Sequence, residues 1–172
     1  MIAARLAGVK KRIYSRHHAS YHHEYFPSAV KYDRFINFLS TDIVAISENV
    51  KSILIDYENV SPKRIHLIHH GFDLEGFREV SQEKIMQMRE KYKLGSAYPV
   101  IGVIARYIKW KGIQYIIPAF IKLLDVYPKA HLILANARGS HQQAIKKLLA
   151  RIPKQNYTEI EFEEDLFTLY KL

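Results

Sequence analysis

Short apolar runs alternate with one-sided amphipathic stretches along nearly the whole chain, and this alternation constrains the fold more than any other feature. Residues 11–16 have strand character. Residues 28–39 carry Val30, Phe35, Ile36, Phe38 and Leu39, which predicts a helix with one apolar side. The run D-I-V-A-I at 42–46 predicts a strand, and Ser47 then opens a helix through Val50, Ile53, Leu54 and Tyr57. Serine suits that place because its hydroxyl accepts from a first-turn amide that has no partner inside the helix. Pro62 breaks the chain before a strand at 65–69, and His70-Gly71-Phe72-Asp73 reads as a turn. A helix over 81–92 is expected to end at Gly95, which adopts a left-handed cap without strain.

The pattern restarts at Pro99. The run P-V-I-G-V-I-A is apolar at nearly every position, which predicts a strand covered on both faces of a parallel sheet. A basic loop over 106–112 leads into a helix with Ile113, Ile116, Ile117, Phe120, Leu123 and Leu124 at helical spacing. Strands over 130–135 and 158–162 and helices over 141–152 and from Asp165 complete the order. Right-handed helical crossovers between parallel strands are the economical solution, so the class is α/β. Three strands on each side of the helix at 81–92 fall short of the roughly five or six of a mean sheet. The chain is therefore expected to be an internal piece of a larger protein. Its divisions are expected at 1–80, a connection at 81–97, and 98–172.

Hydrophobic residues make up 48% and charged residues 25%, which excludes a disordered or collagen-like chain. With no cysteine there is no disulfide framework, no thiolate nucleophile and no thiolate metal site. No apolar run reaches the roughly 18–20 residues of a membrane span, and residues 1–11 lack a secretory leader pattern, so a cytosolic chain is expected. The 26 Lys and Arg against 17 Asp and Glu give a net charge of +9, which predicts an anionic partner. A phosphorylated small molecule, nucleic acid and the anionic inner face of the cell membrane all meet that description. Tyr14, Tyr21, Tyr25, Tyr32 and Trp110, interleaved with basic residues, are the features a single-strand binder would use.

The segment G-V-I-A-R-Y-I-K-W-K-G, residues 102–112, is the most specific. Ligands of open α/β sheets bind beyond the carboxyl ends of the strands, where Arg106, Lys109 and Lys111 fall. The next helix points unpaired amides at the same place, an arrangement that favours phosphate. The histidine pairs 17–18, 22–23 and 69–70 lack an H-E-x-x-H pattern, and no Asp-x-Asp pair occurs, so no metal site is expected.

This segment, with the helix I-x-x-x-I-x-A-F and the strand A-H-L-I-L that follow, resembles the opening of the nucleotide-sugar domain of GT-B fold glycosyltransferases, in particular the large retaining family 4. The family's loop reads G-R-L-x-x-x-K-G. Arg106, Lys111 and Gly112 match it, and Ala105 replaces the first glycine. Upstream, D-I-V-A-I-S-E-N-V-K and R-I-H-L-I-H-H-G-F-D-L-E-G-F resemble the end of the family's first domain, with Gly71, Asp73 and Phe77 matching and His70 in place of Asn. I-Y-S-R-H-H resembles the strand end where the family carries a histidine facing the sugar; His17 or His18 would be that residue, and His17 is preferred by its place after the strand.

The resemblance implies two incomplete Rossmann-like lobes of the GT-B type. It also implies transfer of a sugar from a nucleoside-diphosphate sugar to a hydroxyl of a carbohydrate or lipid-linked acceptor, with retention. Arg106, Lys111 and Gly112 would bind the donor diphosphate, His17 would act at the sugar, and Gly71 and Asp73 would belong to the interdomain donor-side loop. No resident cofactor is implied, since the nucleotide sugar is a co-substrate. The family's E-x7-E motif would lie beyond Leu172; Glu75 and Glu83 share its spacing by coincidence. The 172 residues alone are expected to have little activity.

Overall fold

The computed structural model describes all of residues 1–172, which divide into two compact units, Met1–Phe72 and Asp73–Leu172. The first contains α1 (Ile2–Leu6), β1 (Ile13–Arg16), α2 (Tyr21–Tyr25), α3 (Val30–Leu39), β2 (Asp42–Ala45), α4 (Glu48–Asp56) and β3 (Ile65–Leu67). Its three strands form a parallel sheet in the order β1-β2-β3, with Ser15 opposite Val44 and Val44 opposite His66. Ile43 and Ala45 alternate inward and meet Val50 and Leu54 of α4, with Val60 and Ile65 completing this core. The α4 helix starts as its sequence predicts: Val50 N donates to Ser47 Oγ at 3.2 Å.

The α3 helix departs from the expected apolar side. Phe35 and Phe38 are exposed, while Asp33, Asn37 and Leu39 are buried. The cause lies in two buried charges: Arg16 of β1 pairs with Asp33, and Glu58 accepts from Asn37 Nδ2, so both polar residues turn inward.

The second unit contains α5 (Glu75–Arg78), α6 (Gln82–Lys91), β4 (Val100–Ile104), α7 (Ile113–Leu124), β5 (His131–Ala135), α8 (Gln142–Leu149), β6 (Tyr157–Ile160) and α9 (Leu166–Leu169). Its parallel sheet runs β4-β5-β6. Central β5 is buried at every position: Leu132 and Leu134 pack with Ile113, Ile117, Phe120, Ile145 and Leu149, and Ile133 and Ala135 pack with Met88, Leu94, Ile160 and Leu169. The apolar run at 99–105, expected to be covered on both faces, forms β4 at the sheet edge. There Gly102 is exposed and the other residues are half-buried, because one flank has no neighbouring strand.

The division between units also differs from expectation. It falls after Phe72, and α6, expected to connect two lobes, is part of the second. Met88 and Leu94 enter that unit's core, Arg89 donates to the Ala97 carbonyl at 3.0 Å, and Lys91 pairs with Glu163 at 2.6 Å. The α6 helix is capped by Ser81, whose Oγ accepts from Lys84 N at 3.3 Å. Its left-handed end residue is Lys93 (φ 54°) rather than Gly95, with Leu94 N bonded to Arg89 O at 2.8 Å; Gly95 (φ 49°) turns the chain a second time.

Candidate active site

The loop from β4 to α7 is short and strongly held. Tyr107 and Ile108 are buried, while Arg106, Lys109 and Lys111 point to solvent between them. A 3-10 turn at Lys109–Lys111 ends on Gly112, whose left-handed conformation (φ 73°) directs the chain into α7. A side chain there would be strained, which accounts for glycine at this position. Gln114 Nε2 donates to the Lys109 carbonyl at 2.8 Å and ties the turn to the helix. Neither Arg106 nor Lys111 makes an ion pair or a side-chain hydrogen bond, and the Ile113 and Gln114 amides at the start of α7 have no acceptor. Two uncompensated cations and the positive end of a helix dipole thus lie on one strand-to-helix loop.

The loop after β5 fixes this one from the side. Tyr107 N donates to Arg138 O at 2.9 Å, and His141 N donates to Tyr107 O at 2.8 Å. Gly139 (φ 150°) sits so close that a Cβ would run into the Tyr107 carbonyl. Asn136 takes a left-handed conformation (φ 63°), which asparagine tolerates better than most side chains. The Tyr107 hydroxyl donates to Glu159 Oε1 at 3.0 Å, and burial, followed by the negative charge of Glu159, raises the phenol well above its ordinary pKa. Sequence reading missed Tyr107 and Glu159, because a tyrosine inside a basic loop gives no sign of which way it faces.

In the first unit, His17 is exposed beyond the end of β1, with Nε2 3.1 Å from Ser15 Oγ. Its ring centroid lies 5.2 Å from that of His70, so the segments after β1 and β3 bring these two imidazoles together. His18 faces inward, and its pKa is lowered from 6.5 by burial and then by Arg16 and His22. Gly71 is exposed and does not take a left-handed conformation. Asp73 opens the second unit, where its Oδ1 accepts from Glu75 N at 3.0 Å and turns the chain into α5.

A buried charged network lies behind His17, and sequence reading did not find it. Arg16 contacts Glu58 Oε1 at 2.6 Å and Asp33 Oδ1 at 3.1 Å, and donates through Nε to the His18 carbonyl at 3.0 Å. Asn37 Nδ2 donates to Glu58 Oε2 at 2.6 Å, and His22 and His23 contact Asp33 and Glu58 at 2.6 and 3.1 Å.

Two parallel three-stranded α/β units in sequence match the fold of GT-B glycosyltransferases. The match covers 98% of the chain in solved structures. Against Anabaena HepE in complex with UDP-glucose the TM-score is 0.83 at 19% identity, over 46% of that protein. Against a glycosyltransferase from Rickettsia africae it is 0.70 at 22% identity, over 51%. Among curated proteins the chain is 28% identical over 106 residues to an uncharacterized glycosyltransferase of Methanocaldococcus jannaschii, 62% of this chain and 26% of that one. It is also 28% identical over 130 residues to a glycogen synthase of Kosmotoga olearia, 74% of this chain and 27% of that one. No protein-family model matches it. The chain thus has the fold of these glycosyltransferases and is similar in sequence to part of them, and it spans about a quarter of the length of these curated relatives.

Proposed function

We propose that the chain is part of a glycosyltransferase that moves a hexosyl unit from a nucleoside-diphosphate sugar to a hydroxyl of a carbohydrate or lipid-linked acceptor, with retention at the anomeric carbon. One observation carries the reading: Arg106 and Lys111 are exposed without anionic partners on the loop that leads into the free amides of α7. As the glycosidic bond to the diphosphate breaks, negative charge grows on the departing oxygen. Cations and amides fixed before the reaction stabilise that charge more than they stabilise bound donor, and this difference lowers the barrier. HepE, which shares the fold, is described with UDP and with UDP-glucose, which supports a nucleotide sugar as partner. Gly112 sets the direction of α7, His17 faces the transferred sugar or its leaving group, and Gly71 and Asp73 serve the donor-side loop. No resident cofactor enters this chemistry. No helix is long and apolar enough to cross a membrane; the reading places the protein in the cytoplasm, with the basic surface available to anionic lipid.

The test is UDP and GDP binding by calorimetry, with transfer assayed in a protein that also contains the flanking segments. Lys111→Ala is expected to weaken diphosphate binding at least about tenfold, the scale of one charge-assisted hydrogen bond, and to remove most transfer while circular dichroism stays unchanged. Unaltered binding and turnover would overturn the assignment. Steeply salt-dependent binding of single-stranded nucleic acid, unaffected by UDP or GDP, would favour a basic binding module instead.

A further inference from the structure

The network around Arg16 holds one buried positive charge against two buried carboxylates, Asp33 and Glu58, whose side chains are at most 5% exposed. The negative excess calls for a cation, either a proton on an imidazole or a metal ion. His18 and His22, four residues apart, both converge on Asp33. His22 Nδ1 lies 2.6 Å from Oδ2, His18 Nε2 lies 4.0 Å from Oδ1, and the two ring centroids are 4.2 Å apart. A proton can sit on His22 at Asp33 or on His23, 3.1 Å from Glu58, and needs only one ring; a second imidazole, His18, beside His22 on the same carboxylate is the arrangement a metal uses.

The geometry points to a divalent cation of the zinc class held by His18, His22 and Asp33. Their ligand atoms lie within 4.8 Å of one another. Tetrahedral bonds of about 2.0–2.1 Å would separate them by roughly 3.3 Å, so modest side-chain rotations close the site. Two imidazoles and a carboxylate form an open zinc set, with a fourth position for water. The surroundings are those a ligating carboxylate requires. Arg16 holds the Asp33 oxygen that faces away from His22, and Glu58, itself bonded to Asn37, holds Arg16. The ion would pin the chain leaving β1 to α3, and with it His17 next to His18. This inference rests on the first unit's own residues and does not depend on the donor assignment.

Zinc is titrated into the untagged chain by calorimetry while histidine ring nitrogens are followed by long-range proton–nitrogen NMR. The expected result is one zinc per chain, with the His18 and His22 rings shifting together. His22→Gln should weaken binding at least about tenfold, and His66→Gln, in the exposed pair with Asp42, should leave it unchanged. Absence of saturable binding would overturn the proposal. So would saturation that shifts His17, His66 or His70 while His18 and His22 stay fixed. The ring signals are read in the unsubstituted chain, so a variant that unfolds does not decide the outcome.

Discussion

Tyr107 has no exposed surface, yet its hydroxyl is polar and its backbone lies between the exposed cations Arg106 and Lys109. The bond to Glu159 satisfies the hydroxyl and anchors the loop that presents Arg106 and Lys111. Tyr107→Phe removes a bond to a charged acceptor, and the expected cost is about 1.5–3 kcal/mol, read from the urea midpoint. A midpoint equal to that of the parent would show that the bond contributes nothing. His131 provides a second residue-scale case. It is buried on β5 with Nε2 2.8 Å from Thr158 Oγ1, and burial lowers its pKa from the ordinary 6.5. Below 6.5 the unfolded chain therefore takes up a proton that the folded chain resists, so this contribution is complete above 6.5 and lost as pH falls through the folded value. His131→Gln should flatten the decline in stability between about pH 7 and about pH 5 relative to the parent. Parallel pH profiles of the two proteins would refute the sign of the effect. The other histidines are common to both proteins, so the difference isolates this one.

At the scale of elements, caps decide where helices begin. Ser47→Ala removes the acceptor for the Val50 amide, and the expected loss is about 1 kcal/mol, with amide exchange quickening first in the opening turn of α4. Exchange unchanged there would mean that water replaces the hydroxyl without cost. This cap, the one at Ser81 and the start of α9 at Asp165 were legible in the sequence because each depends on residues within three positions. The short α1, α2 and α5 were not expected, while the order of the strands and of α3, α4, α6, α7, α8 and α9 was legible for the same reason. What depended on distant partners was not. Whether an apolar run becomes a central or an edge strand is set by how many neighbours it finds, so the run at 99–105 reads the same in either place. On α3, Asp33 turns inward to Arg16 and Asn37 to Glu58, and Arg16 itself meets Glu58 across 42 positions. The site shows the same split. Arg106, Lys111 and Gly112 share one local loop, while Tyr107, Gly139 and Glu159 show their part only once the loops after β4 and β5 are packed.

At the scale of the molecule, each unit has an apolar core made from its own residues: Ile43, Val50, Leu54 and Ile65 in the first, and the two clusters on either side of β5 in the second. Hydrophobic burial acts only on atoms that leave water together, so a cavity is felt first by the core that contains it. Leu54 and Leu132 are both wholly buried, one in each unit. Truncating either to alanine should cost about 2–5 kcal/mol. Leu54→Ala is expected to speed amide exchange across residues 1–72 and leave β4, β5 and β6 protected, and Leu132→Ala to do the reverse. A loss of protection spread evenly over all 172 residues by either variant would show that the two cores unfold as one, and the loop carrying Arg106 and Lys111 would then depend on the first unit for its stability as well as on β5.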